Sequence, residues 1–131
     1  LVDPKRVGHI GHSWGGYSAG DLGAYGGDFL ATTVAGAGIF DMVSFLGQFH
    51  WASGAPEWDH GETGQARMEV PYWEDRAAYE RNSPLHGLQQ MKIPMLMAHG
   101  NKDGTVEFFV AKLRCAFDHR SQFTTLFADA E

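Results

Sequence analysis

The sequence G-H-S-W-G at residues 11–15 constrains the chain more than any other feature, because it fits the G-x-S-x-G pattern of a nucleophile elbow. A strand pattern at residues 6–12 leads into it, and a glycine-rich helix pattern at residues 13–27 follows. An elbow turns a strand sharply into a helix, so that the serine hydroxyl stands clear of a strained backbone. We expect a side chain at Gly11 or Gly15 to clash at this turn. Ser13 is therefore a candidate nucleophile; the alternative is an idle serine in a glycine-rich turn.

The remaining patterns predict an α/β fold, with a parallel sheet flanked by helices. Strands are predicted at residues 29–38, 93–100 and 122–130, and helices at residues 72–82 and 105–120. Residues 39–49 fit either a helix or a loop. Residues 50–70 hold three glycines and a proline, which predicts an irregular surface segment. The 131 residues amount to one domain at most, and we expect residues 1–131 to form part of one domain.

Charge and composition argue against several classes of function. The formal net charge of -6 disfavours a protein that binds nucleic-acid phosphates. No apolar run approaches the roughly 18–20 residues of a membrane span. The single cysteine, Cys115, can form neither an internal disulfide nor a cysteine zinc cluster, and the seven histidines lack metal-binding spacing. We therefore predict no metal and no other cofactor. A single cysteine is compatible with a cytoplasmic location of the protein, and also with a periplasmic one.

A serine nucleophile needs a base that is itself oriented by an acid, and elbow-type folds place them in the order Ser, acid, His. Asp103 follows the predicted strand at residues 93–100, where the acid belongs, although Lys102-Asp103-Gly104 also fits a plain turn. His119 is the only histidine after Asp103, and it precedes the last predicted strand, on the wrong side for a base. We therefore expect the catalytic base to lie outside these 131 residues.

Three segments resemble the prolyl oligopeptidase family of serine peptidases, whose catalytic domain is an α/β hydrolase. They read VDPKRVGHIGHSWGGY at residues 2–17, YERNSP at 79–84 and IPMLMAHGNKDGTV at 93–106. Their order and spacing cover nearly the whole chain. The stretch ETGQARM at residues 62–68, followed by YWEDRAAYERNSP, looks like the bacterial dipeptidyl-peptidase-like branch.

The resemblance implies a role for each residue that matches a family motif. It makes Ser13 the nucleophile, Asp103 the acid and the backbone N–H of Trp14 one oxyanion donor. It also implies a pocket for the residue before the scissile bond, lined by Trp14, Ile39, Met42, Phe45 and Val106. The family's histidine would follow Glu131. The family's second oxyanion donor, central strands and β-propeller have no match in the chain, so the resemblance implies an incomplete α/β-hydrolase domain.

The sequence thus predicts a serine peptidase that cleaves peptide substrates through an acyl-enzyme on Ser13, with the 131-residue chain inactive by itself. Two alternatives stay open. One is an esterase or other acyl hydrolase on the same fold, and the other is a non-catalytic pseudo-enzyme or interaction domain. Homo-oligomerisation of a longer protein is also left open.

Other conspicuous residues have less specific interpretations. His99 is predicted to fix the acid loop by hydrogen bonds, and His12 to be a packed neighbour of the elbow. The tryptophans Trp51, Trp58 and Trp73 are predicted to cap the core beneath the irregular segment, with a peptide-binding platform as the alternative.

Overall fold

A four-stranded parallel sheet organises the chain. The computed structural model describes residues 2–26, 29–51 and 53–106, together with the backbone of 123–128. The sheet contains β1 (Gly8–His12), β2 (Thr32–Gly36), β5 (Met95–Gly100) and β6 (Phe123–Ala128), in the order β1-β2-β5-β6. Every pairing in it is parallel. All four predicted strands are therefore confirmed, each trimmed by a few residues at its ends.

Helix α1 (Trp14–Tyr25) packs against this sheet through small and apolar residues. Ala19 on the helix is completely buried, together with Ala35, Met95 and Met97 from the strands and Phe40 beyond β2. The helix ends at Gly26, whose N–H donates to the carbonyl of Leu22, close to the end of the helix pattern predicted at residues 13–27.

The segment after β2 forms a second, separate core. Asp41 caps α2 (Met42–Leu46) by accepting a hydrogen bond from the N–H of Val43. Helices α4 (Arg76–Arg81) and α5 (Pro84–Gly87) follow, and two 3-10 turns span Pro4–Arg6 and Leu88–Gln90. The buried members of this core are Ile39, Met42, Phe45, Tyr79 and Val106.

Two predictions about this segment need correction. Residues 50–70 are not irregular throughout, because they contain most of a short hairpin, β3 (Phe49–His50) with β4 (Ala55–Pro56), and then α3 (Trp58–Glu62). The helix predicted at residues 72–82 starts only at Arg76, because the Asp75 carboxylate caps it by accepting from the N–H of Ala78. The predicted helix at residues 105–120, with Cys115 and His119, lies beyond the described residues from position 107 onward.

The prediction that the tryptophans cap the core is wrong. Trp51 is 73% exposed, Trp58 52% and Trp73 75%. The core beneath is already filled by α2, α4 and the residues that pack between them, so the large rings stay on the outside. Trp58 and Trp73 instead line an open groove of about 560 Å³.

No helix among the described residues is both long enough and apolar enough to cross a membrane.

Candidate active site

Ser13 sits at the junction of β1 and α1 in a strained backbone conformation. Its φ of 57° and ψ of -119° lie in a region that residues with a side chain rarely adopt. Two hydrogen bonds hold it there, from the N–H of Ser13 to the carbonyl of Gly36 (2.9 Å) and from the N–H of Tyr17 to the carbonyl of Ser13 (2.9 Å). The strain is the local geometry that the G-x-S-x-G pattern predicts.

Close backbone contacts explain only part of the glycine pattern. A Cβ at Gly11 would lie 2.2 Å from the carbonyl oxygen of Gly15, so the predicted clash there is confirmed. A Cβ at Gly15 would meet no described atom within 4 Å, so the predicted clash at this glycine is wrong. Its neighbour Gly16 is the one that needs to be small, because a Cβ there would lie 2.5 Å from the carbonyl oxygen of Gly36. That glycine lets the first turn of α1 approach β2.

The backbone N–H of Trp14 is the first amide of α1. Amides of the first helical turn have no acceptor within the helix, and the helix dipole places partial positive charge on them. Such an amide is suited to stabilise the oxygen that becomes negative in acyl transfer. The indole ring of Trp14 packs edge-on against Phe45 and Tyr17, with ring centroids 5.8 and 5.6 Å away.

Asp103 lies in the loop after β5, with a side chain that is 22% exposed. Its Oδ1 accepts hydrogen bonds from the N–H groups of Thr105 (3.0 Å) and Val106 (3.1 Å). Asp103 therefore does organise the turn, as the plainer interpretation of this residue predicts. Its Oδ2 takes no part in those two bonds, and lies 3.7 Å from His99 Nε2.

Two groups from elsewhere in the chain brace this acid loop. The buried His99 lies with Nε2 2.8 Å from the carbonyl of Val106, which is the kind of hydrogen bond predicted for it. The β3–β4 hairpin adds two contacts that the sequence did not predict. The N–H of Trp51 donates to the carbonyl of Gly104 (2.8 Å), and His50 Nε2 lies 2.9 Å from Thr105 Oγ1. The Ser53-Gly54 pair was the available sequence signal for this hairpin; Gly54 adopts a φ of 70°.

The sheet places Ser13 and Asp103 at the same edge. Ser13 follows β1 and Asp103 follows β5, and β2 lies between these two parallel strands. Neighbouring strands are about 4.8 Å apart, so the strands that carry the two residues are separated by about 10 Å. That spacing leaves room for an imidazole hydrogen-bonded on both sides. Ser13 Oγ makes no hydrogen bond within the described part of the chain. His12 does not fill the gap: it is exposed, not packed against the elbow as predicted.

The structure brings the five predicted pocket residues together. Four of them, Ile39, Met42, Phe45 and Val106, are buried in the second core, and Trp14 packs against it. Beside this cluster lies a cavity of about 460 Å³, which we call the elbow cavity. Its lining residues are Trp14, Tyr17, Ser18, Met42, Gln65, Ala66, Arg67, Met68 and Asn82. Trp14 and Met42 belong to both the cluster and the cavity lining.

A buried hydroxyl fixes the wall of the predicted pocket. Ser83 is fully buried, and its Oγ accepts from the N–H of Met42 (2.9 Å) and donates to the carbonyl of Tyr79 (2.8 Å). The N–H of Met42 is the first amide of α2, so this serine ties α2 to α4. Ser83 belongs to the motif YERNSP at residues 79–84, which by itself does not indicate this role for its hydroxyl.

Burial also affects an ionisable side chain in the lining of the elbow cavity. It raises the pKa of Tyr17 to about 12, with a smaller contribution from the nearby Asp21 carboxylate. Tyr17 therefore stays neutral near pH 7 and can donate or accept a hydrogen bond through its hydroxyl. No group of three His, Cys, Asp or Glu side chains in the described ranges is arranged to hold a metal ion.

Comparison with known proteins places the chain in a family. The sequence profile described as "Prolyl oligopeptidase family" matches residues 1–116. Dipeptidyl-peptidase 5 of Porphyromonas gingivalis is 31% identical over 123 residues, which is 89% of this chain and 16% of that protein. The chain therefore spans only a small part of the length of this relative.

Solved structures share the fold. A puromycin-hydrolysing peptidase from Mycobacterium tuberculosis superposes with a TM-score of 0.80 at 22% identity, over 98% of this chain and 19% of the other. Dipeptidyl peptidase 4 of Porphyromonas gingivalis gives 0.74 at 20% identity, over 98% of this chain and 16% of the other. An acylaminoacyl peptidase bound to Z-Gly-Gly-Phe-chloromethyl ketone superposes with a TM-score of 0.73 at 17% identity, over 99% of this chain and 20% of the other. The parallel sheet with its flanking helices has the α/β-hydrolase fold, and the chain belongs to the prolyl oligopeptidase family.

Proposed function

We propose that this chain carries the nucleophile and the acid of a serine peptidase, with Ser13 forming the acyl-enzyme. The observation that supports this most directly is the strained Ser13 between β1 and α1, whose Oγ makes no hydrogen bond to the described residues. Family membership supports the same reaction, and the names of the similar proteins are those of peptidases.

In the proposed reaction, Ser13 Oγ attacks the carbonyl carbon of a peptide bond while its proton passes to a histidine base. The N–H of Trp14 donates to the resulting oxyanion, since this amide has no acceptor within α1. The tetrahedral intermediate then collapses, the histidine returns the proton to the departing amine, and the acyl group stays on Ser13 as an ester. Water, deprotonated by the histidine, then attacks the carbonyl carbon of this ester. The second tetrahedral intermediate collapses, which releases the carboxylic acid product and restores the Ser13 hydroxyl.

Asp103 is proposed to orient the histidine through Oδ2, because Oδ1 is already committed to two loop amides. The histidine itself is proposed to come from outside residues 1–131, in line with the chain order of elbow-type folds. It would enter the space above β2 between Ser13 and Asp103. The predicted pocket residues, led by Trp14 and Met42, would receive the side chain before the scissile bond.

The test is active-site labelling of the protein in a form that extends past Glu131. We expect a fluorophosphonate to modify Ser13, as mapped by peptide mass spectrometry, and Ser13→Ala to abolish labelling. Ser53→Ala, at an exposed hairpin position, is the matched control and should label normally. Labelling at another serine, or none in the extended form, would refute the proposal and favour a non-catalytic domain.

Substrate comparison then separates the two enzymatic alternatives. Efficient cleavage of dipeptidyl amides supports the peptidase, whereas cleavage of short-chain esters alone would identify an esterase on the same fold. Residues 1–131 alone are expected to turn over neither, because removing one member of a triad costs several orders of magnitude in rate. Peptidase activity of that form would disprove an external base.

A further inference from the structure

The elbow cavity contains an arginine that the proposed reaction does not use. Resting on the proposed function, we propose that Arg67 makes this cavity a subsite for a substrate carboxylate. The source favoured by the geometry is an acidic side chain on the residue before the scissile bond.

Backbone contacts hold Arg67 in place from both sides. The N–H of Ala66 donates to the carbonyl of His60 (3.0 Å), and that of Met68 donates to the carbonyl of Gly61 (3.1 Å). The side chains of Ala66 and Met68 pack against the second core. Between them Arg67 adopts a φ of 52°, which a residue with a Cβ adopts only at an energetic cost. The anchored neighbours thus fix the backbone at Arg67, an exposed residue in the lining of the elbow cavity.

The charges in the cavity lining favour an anionic ligand. Arg67 is the only Lys, Arg, Asp or Glu among the nine lining residues, and the rest are neutral amides, hydroxyls and apolar groups. Within the described part of the chain Arg67 makes no ion pair and no hydrogen bond. Arg67 is exposed and lines the cavity, while the chain as a whole carries a net charge of -6. An unpaired guanidinium with amide and hydroxyl neighbours is suited to bind a carboxylate.

The position of the cavity links it to the scissile bond. Trp14 supplies the proposed oxyanion amide from its backbone and lines the cavity with its side chain. Met42 belongs both to the cavity lining and to the predicted pocket cluster. A substrate side chain that starts next to the carbonyl carbon attacked by Ser13 and passes between Trp14 and Met42 would enter the elbow cavity. A carboxylate at its end would then be directed toward Arg67.

The test compares peptide substrates that differ only in Glu or Gln before the scissile bond, with the same uncharged leaving group. We expect Arg67→Gln to lower the ratio of kcat/KM values, Glu over Gln, by about tenfold, the size of one partly exposed charge-assisted contact. Arg81→Gln removes the same charge from an exposed helix position outside the cavity, and should leave the ratio unchanged. Arg67→Gly should lower the ratio equally without lowering Tm, because glycine relieves the positive φ.

A second substrate pair distinguishes the source of the carboxylate, with a leaving residue that ends in either a free carboxylate or an amide. An effect of Arg67→Gln confined to this pair supports the subsite and assigns it to the leaving group. A hydrolase that depends on Ser13 but shows no effect of Arg67→Gln on either pair overturns the subsite and leaves the proposed function standing.

Binding provides a readout that does not need catalysis. N-acetyl-glutamate amide and N-acetyl-glutamine amide are titrated into the protein while the backbone NMR signals of residues 14 and 66–68 are followed. Preferential binding of the glutamate probe that Arg67→Gln weakens about tenfold supports the subsite even if Ser13 is inert. Equal binding of the two probes overturns it.

Discussion

Replacing Gly16 with alanine tests the close approach of α1 to the strand beneath it. The new Cβ would lie 2.5 Å from the carbonyl oxygen of Gly36 and 2.8 Å from the Cα of Gly38. Non-bonded heavy atoms prefer separations of about 3.5 Å or more, so the two backbones would have to move apart by about 1 Å. Neither neighbour is a side chain that could rotate away. We therefore expect a loss of about 2–3 kcal/mol, in the upper part of the range for overpacked cores.

The same displacement should reach the proposed nucleophile, because Ser13 and the N–H of Trp14 lie immediately before the turn that has to move. A misplacement of about 1 Å at a catalytic group can cost about 10²-fold in rate. The free energy of unfolding is measured by urea denaturation, and the rate by fluorophosphonate labelling of the extended form. Both should fall together in Gly16→Ala.

Gly15→Ala is the matched control, one residue away in the same helical turn. A Cβ at Gly15 meets no described atom within 4 Å. Alanine is the better helix former by about 0.5–1 kcal/mol, so this variant should be as stable as the parent or more so. Equal stability of the two variants, or a greater loss for Gly15→Ala, would refute the packing argument.

Three further predictions concern the proposed acid, the wall of the predicted pocket and the dependence of stability on pH. Asp103→Asn should keep the loop bonds to Thr105 and Val106 through Oδ1 and so retain Tm, while kcat/KM falls by about 10⁴-fold; a large fall in Tm would show that its charge is structural. Ser83→Ala should cost about 1–3 kcal/mol in urea denaturation by leaving the buried N–H of Met42 without an acceptor, and a loss no greater than that of exposed Ser53→Ala would contradict this. Burial raises the pKa of Tyr17 to about 12 from 10.0. The folded state then binds this proton more tightly than the unfolded state, so its stabilising contribution is full below about pH 10 and is lost between about pH 10 and 12. In the parent protein the urea midpoint should therefore fall as the pH rises through that interval, and Tyr17→Phe should reduce this fall. An unchanged fall in the variant would show that Tyr17 does not cause it.

Local patterns predicted the strands and the elbow because both depend on near neighbours in sequence. The apolar run before Gly100 is buried wherever a parallel sheet forms, and Gly11 must be small because its clash is with Gly15, only four residues away. The elbow strain at Ser13 follows from the same few residues.

The segment after β2, between this strand and β5, could not be predicted to the same degree, because its structure depends on contacts between residues that are distant in sequence. Trp51 is exposed since other side chains already fill the core, and its N–H is instead paired with Gly104 in the acid loop. The start of α4 depended on which of several polar residues would act as the cap. Asp75 does so, where propensity alone allowed an earlier start at Tyr72.

The sequence by itself determined the fold class and the family, and it placed the proposed nucleophile before the proposed acid along the chain, since these depend on motifs whose residues are close together. Tertiary structure alone decided which glycine lets α1 approach β2, that β2 lies between Ser13 and Asp103, and that Arg67 lines the cavity beside Trp14. Each of these joins residues that lie 20 or more positions apart, and side chains that meet only through folding leave no spacing in the sequence by which to recognise them.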